Sequence, residues 1–109
     1  MRQLVVLFNE TKAGLLTETH PGAGYTFQYG EDYVNSTMPP ISATLPKQAG
    51  AYSSENLFPF FSNMLPEGAN RRAICRSLKI DENDYFGLLD AMAGKDFIGA
   101  VNIRRIDND

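Results

Sequence analysis

The stretch Leu57-Phe58-Pro59-Phe60-Phe61-Ser62-Asn63-Met64-Leu65-Pro66-Glu67-Gly68 decides how the rest of the chain must be arranged. It gathers three phenylalanines with leucine and methionine, more apolar surface than a short segment leaves in water. Pro59 suits the first turn of a helix, where its missing N–H is no loss. Pro66 disfavours α geometry at Leu65, so a helix over residues 57–65 ends there, and Gly68 permits a sharp change of direction. The expectation is a short apolar helix running into a rigid corner with a polar tip. Consecutive helical residues lie about 100° apart around the axis, so the close aromatics cannot all face inward. At least one of Phe58, Phe61 and Met64 should lie toward an edge. Apolar surface beside a rigid loop is a common form of docking site.

The 109 residues suffice for one domain, 1–109, burying roughly 65% of its unfolded surface. A hydrophobic fraction of 43% and a charged fraction of 21% are those of an ordinary globular protein. A net charge of −3 argues against nucleic-acid binding as the main task, which calls for a positive surface to neutralise phosphates. The one cysteine, Cys75, and the one histidine, His20, allow no intrachain disulfide and supply too few ligands for a Cys/His metal site. The apolar run after Arg2-Gln3 is too short for a signal peptide, and none approaches the length of a membrane span. The expected location is the cytoplasm.

Around the central stretch the chain divides in two. Residues 4–8 form a continuous apolar run that reads as a buried strand, and residues 9–14 carry turn chemistry. Residues 15–19 return as a second strand, and residues 20–24 read as a loop. Residues 25–29 alternate, placing Tyr25, Phe27 and Tyr29 on one face of a sheet. Residues 30–40 read as irregular, ending in a double proline. Residues 41–45 alternate again, and residues 47–54 read as a polar loop. After the central stretch, residues 69–79 form a helix with Ile74 and Leu78 on its apolar face and Arg72, Arg76 and Lys79 on the opposite flank. Arg71 falls in register with the apolar side, where its head could pair with Glu67. Asp81 is the expected N-cap of a third helix whose buried stripe is Tyr85, Leu88, Leu89 and Met92, and Gly94 stops it. Residues 97–103 read as a last strand with Gly99 as a bulge, inserted beside an early one, and residues 104–109 as a frayed polar tail. The fold class is α+β: a small antiparallel or mixed sheet from the first half and the late strand, packed against about three helices.

Catalytic sets are thin. His20 sits in a Pro-Gly loop with no defined partners, and Cys75 falls on an apolar helix face, the place of a structural thiol. The acids Asp81, Glu82 and Asp84 are accounted for by helix capping. Gly22-Ala23-Gly24 is too short for a phosphate loop. No catalytic residue, metal or cofactor is expected. The basic stripe of Arg72, Arg76 and Lys79 is either a solvated helix face or an electrostatic contact, with an acidic partner before a phosphate backbone.

Leu45-Pro46, then Phe60-Phe61-Ser62-Asn63-Met64-Leu65-Pro66-Glu67-Gly68, then Arg71 and Arg72, resembles the N-terminal subdomain of HipA-type serine/threonine kinases. Phe86-Gly87-Leu88-Leu89, Gly94 and Gly99-Ala100-Val101 are similar to later elements of the same family. The resemblance covers residues 4–103, departing at Met64, where the family often has leucine. The ATP site and catalytic aspartate of such kinases lie in a much longer portion absent from this sequence. The family includes three-gene toxin–antitoxin modules in which the missing subdomain is a separate small protein, HipS. There, HipS binds and suppresses the kinase toxin HipT, and a helix-turn-helix HipB binds DNA. The sequence is either a fragment of such a kinase or a free-standing version, and Met1 followed directly by a strand, with an end at Asp109, favours the free-standing product. The resemblance implies a non-enzymatic, cytoplasmic antitoxin whose partner is a HipT/HipA-like kinase, with HipB in a ternary complex. The expected partner-binding residues are Phe58, Phe61, Asn63, Met64, Leu65, Pro66, Glu67 and Gly68. The alternative is a subdomain that completes the kinase and its HipB–DNA complex without inhibiting it.

Overall fold

The computed structural model describes residues 1–94 and 99–106. Its strands β1 (Arg2–Phe8), β2 (Thr11–His20), β3 (Ala23–Tyr29), β4 (Tyr52–Ser54) and β5 (Val101–Arg105) form one sheet in the order β4-β3-β2-β1-β5. Every pairing is antiparallel. Helices α1 (Glu31–Val34), α2 (Pro59–Ser62), α3 (Gly68–Leu78) and α4 (Tyr85–Met92) complete an α+β fold, with the final strand beside β1 as expected.

Two tight turns set the register. Asn9 and Glu10 both take positive φ, 48° and 68°, the primed-turn geometry that matches the twist of paired strands. The turn is therefore only two residues long, and β2 starts at Thr11 rather than at residue 15. Similarly, Pro21-Gly22 closes β2 onto β3 with Gly22 at φ 76°, so residues 20–24 are mostly strand rather than loop. Between these turns, β1 and β2 slip past one another at Val6/Leu7, leaving Ala13 without a partner. Its carbonyl accepts from the Gly30 N–H at 2.9 Å. Next to it, Gly14 has no room for a side chain, since a Cβ would fall 2.9 Å from the Phe27 ring.

One face of the sheet carries the core. Leu4, Val6, Leu16, Tyr25, Phe27, Tyr29 and Ile103 point into a single apolar cluster with Phe61, Leu65, Cys75, Phe86, Leu88 and Leu89 from the helical half. The alternation of Tyr25, Phe27 and Tyr29 thus lies inward, as its period predicts. The other face is open, with Gln3, Leu15, Thr17, Thr26 and Gln28 lining a shallow cleft.

Several local expectations change. Residues 41–45 make only an isolated bridge, Ser42 to Leu45, because the buried Tyr29 hydroxyl takes their backbone groups instead. It accepts from the Ile41 N–H at 3.0 Å and donates to the Leu45 carbonyl. The polar loop hides β4, which pairs with β3, and the irregular stretch hides the single turn of α1. The third helix is capped by Asp84, not Asp81. The Asp81 carboxylate is engaged in its own turn, accepting from the Asn83 N–H at 2.8 Å. Leu78 is 43% exposed, and Cys75 rather than Leu78 anchors the inward side of α3. Gly99 lies before β5 rather than within it, and Arg104 and Arg105 belong to that strand. Phe97 and Ile98, assigned to the last strand, and residues 107–109 of the tail lie outside the described residues.

The cap of α4 is also the tie between helix and sheet. The Arg2 guanidinium donates to Glu18 Oε1 at 2.7 Å and to Asp84 Oδ1 at 2.8 Å, and lies 5.2 Å from the centre of the Phe86 ring. Glu18 is fully buried, its other oxygen accepting from the Tyr25 hydroxyl at 3.1 Å and the Gly22 N–H at 3.2 Å. A buried carboxylate needs this full set of donors. Burial, together with the Glu18 bond, pushes the Tyr25 phenol up to about 12.

The Arg2 hydrogen bond holds the Asp84 carboxyl below its ordinary 3.8, assisted by the Gly87 N–H and opposed by burial. A carboxylate depressed in the folded state adds stability above its unfolded pKa and loses it as pH falls through the folded value. Asp84→Asn should therefore lower the urea midpoint at pH 7, and the gap to the native protein should narrow as pH falls below about 3.8. Urea titrations at pH 7 and below pH 3.8 check this.

Candidate functional site

The corner forms around Phe61. Pro59 restricts Phe58 to an extended backbone, φ −56° and ψ 133°, and occupies the first position of α2. That helix is one turn long, shorter than the expected 57–65. The chain keeps winding beyond it through i to i+3 bonds, Met64 N–H to Phe61 carbonyl at 3.1 Å and Leu65 N–H to Ser62 carbonyl at 3.2 Å. This tighter winding is what a chain adopts when the next residue is proline. Phe61 is fully buried, its ring 5.6 Å from Phe27 of the sheet and edge-on to Phe58 and Phe60 at 6.2 and 5.3 Å.

Burial divides the expected docking residues into two sets. Phe58, Phe61 and Leu65 are core, with at most 8% exposure. They hold the corner and present little surface of their own. Asn63, Glu67 and Gly68 are exposed, and Met64 and Pro66 are half-buried at the rim. The edge position predicted by helical spacing falls to Met64 and Phe60, both packed partly against the core.

Beyond Pro66, Glu67 is extended, with φ −120° and ψ 160°, and makes no side-chain cap on α3. Gly68 takes φ 58°, and a Cβ there would meet nothing within 4 Å, so its requirement is purely one of backbone. Arg71 does not pair with Glu67. Its Nε donates to the Pro66 carbonyl at 2.9 Å, and its guanidinium sits 4.9 Å from the centre of the Tyr85 ring in α4. Helical register put Arg71 on the apolar side of α3, but nothing in the sequence indicated either partner.

The basic stripe is real as a line but not wholly helical. Arg72 and Arg76 are exposed on α3, and Lys79 lies past its last residue in left-handed geometry, φ 58°. The Ile80 N–H closes that end on the Cys75 carbonyl at 2.8 Å. Residues 68–80 contain no acid. Among the described residues the ion pairs are Arg2 with Glu18 and Asp84, and Arg105 with Asp90, none of which involves the stripe. Cys75 is buried, and His20 is exposed, with Nδ1 3.2 Å from the Thr19 hydroxyl. Among the described residues, no three His, Cys, Asp or Glu side chains are grouped to hold a metal.

The arrangement offers a preformed, mainly polar tip on an apolar base. The left-handed residue can be tested directly. Gly68→Ala should lower stability by about 1–2 kcal/mol, the cost of an L-residue at that φ, with no steric addition. Chemical denaturation measures the loss, and Gly68→Asn should lose less.

The HipA N-terminal domain family matches residues 4–104. The chain is 35% identical over 91 residues to an uncharacterised protein of Haemophilus influenzae, covering 84% of this chain and 80% of that protein. It is 32% identical over 105 residues to Y4mE of Sinorhizobium fredii, which carries a provisional kinase assignment. That match takes in 94% of this chain and 24% of Y4mE, so the chain spans about a quarter of that relative. Among solved structures, the N-terminal domain of HipA toxin superposes with a TM-score of 0.74 at 24% identity, covering 100% of this chain and 96% of that one. From β1 to β5, in sequence and in fold, the chain belongs to the HipA N-terminal domain family.

Proposed function

We propose that this chain, as a single unit over residues 1–109, is a non-enzymatic antitoxin of the HipS kind. It binds a HipA-like (HipT) serine/threonine kinase in the cytoplasm and suppresses it without a cofactor. The observation that carries this reading is the corner itself: Asn63, Met64, Pro66, Glu67 and Gly68 are presented at the surface by a buried aromatic base. A tip held this way loses little freedom on docking, so more of its contact energy appears as affinity. Met64 supplies an adaptable apolar anchor, and Asn63 and Glu67 offer hydrogen-bonding groups at its flanks.

Co-purification with the kinase-like product of the neighbouring gene, followed by kinase assay with and without this chain, tests the reading. A stable complex whose activity falls as the chain is added is the expected result; a complex of undiminished activity overturns inhibition. Within that complex, Met64→Asp should weaken binding at least about 30-fold, the ~2 kcal/mol of a central anchor. Glu67→Arg, fully at the surface, serves as the variant that leaves the core untouched.

A second reading, assembly of the kinase with a HipB-like repressor on DNA without inhibition, is favoured by the acid-free basic line of Arg72, Arg76 and Lys79. On that reading Arg72→Glu with Arg76→Glu weakens promoter-complex formation in a gel-shift assay and leaves kinase activity unchanged.

A further inference from the structure

We propose that Arg71 and Tyr85 form a latch that positions the docking corner, an inference that rests on the reading above. Of the four cations in residues 71–79, Arg71 alone turns back over its own helix start. Its Nε N–H holds the Pro66 carbonyl at 2.9 Å, which fixes the peptide plane between Pro66 and Glu67. That plane sets the direction in which Glu67 leaves the corner. The guanidinium is held in turn, lying 4.9 Å from the centre of the Tyr85 ring.

The latch has a reason to exist. The corner is secured on one side by Phe61, but past Leu65 the described backbone bonds thin out. The remaining main-chain bond across the turn, Arg71 N–H to Glu67 carbonyl, is long at 3.4 Å. Gly68, at φ 58° with open space where a Cβ would sit, has no side-chain contact of its own to hold it. Arg71 closes this gap from the outer side and links it to the first residue of α4. Because α4 is itself capped by Asp84 and tied to β1 through Arg2, the tip is referenced to the sheet by two separate routes. Planarity matters here: lysine could supply the charge and not the fixed fork.

The test uses the full chain and its kinase partner. Arg71→Gln removes the cation, Arg71→Lys keeps the charge without the fork, Tyr85→Leu removes the ring, and Tyr85→Phe retains it. Backbone 15N order parameters at Glu67 and Gly68 in the free protein should fall from rigid values toward about 0.6 in the first three variants and stay unchanged in Tyr85→Phe. Kinase affinity should drop about tenfold in the same three, the consequence of lost preorganisation, with thermal midpoints close to the native one. An unchanged order parameter in all variants overturns the latch whatever the partner does. A mobile corner with undiminished affinity, while Met64→Asp and Glu67→Arg do weaken binding, overturns its positioning role. If Met64→Asp and Glu67→Arg also bind normally, the docking reading fails, and the order parameters still judge the latch. Should Arg71→Gln fail to fold, Tyr85→Leu against Tyr85→Phe makes the same comparison from the other side of the contact.

Discussion

The contact between Phe61 and the Phe27 face of the sheet is the constraint on which the corner depends. Phe61 is the one wholly buried aromatic of the 57–68 segment, and the rings of Phe27, Phe58 and Phe60 enclose it. Removing a ring of this kind from a closed core costs about 3–5 kcal/mol, a large share of what a small domain has in hand. The single turn of α2 is too short to be stable alone and exists because this ring docks. Once it docks, Pro66 and Gly68 leave the chain only one way out, and Asn63, Met64 and Glu67 are thereby turned toward solvent.

A second cluster, at the start of α4, is organised by charge instead of aromatic packing. Arg2 on β1 and Asp84 at the start of α4 are 82 positions apart in sequence, and the one guanidinium donates to both Asp84 and Glu18 of β2. Tyr25 and the backbone of Gly22 take up the remaining valence of Glu18. A network this complete fixes where α4 begins, and α4 in turn carries Leu88 and Leu89 into the core and Tyr85 to the corner. Aromatic and ionic halves therefore converge on the same surface.

Much of this was legible from residue order because it depends on local periodicity. The inward set of Tyr25, Phe27 and Tyr29 follows from a two-residue repeat, and the buried Leu88 and Leu89 from a helical one. The winding toward Leu65 and the corner after it follow from the stereochemistry of Pro66 and Gly68. What failed depends on partners distant in sequence. Residues 41–45 alternate like a strand, yet the hydroxyl of Tyr29 claims their backbone groups. The loop before α2 is held by Lys47, whose ammonium donates to the carbonyls of Ser36 and Met38 at 2.8 and 2.7 Å. Asp81 and Asp84 are equally good caps in isolation; Asp81 is taken up by the Asn83 N–H, while Asp84 accepts from Gly87 and from the distant Arg2. At the site, spacing correctly implied that the aromatics could not all face inward, but which ones remained outside was decided by the position of Phe27. The resemblance to the HipA N-terminal domain family was legible in the corner motif together with Leu45-Pro46, Phe86-Gly87-Leu88-Leu89 and Gly99-Ala100-Val101, and the family match extends over residues 4–104.

On the proposed reading, the kinase is engaged through the tip of the corner. Hydrogen exchange of this chain, alone and in complex with its kinase partner, tests it most directly. Binding should slow exchange of the amides of Asn63, Met64, Glu67 and Gly68, while the hairpin turn at Gly22 exchanges as before. Unaltered exchange across residues 63–68, with new protection on the open sheet face around Gln3 and Gln28, would contradict it.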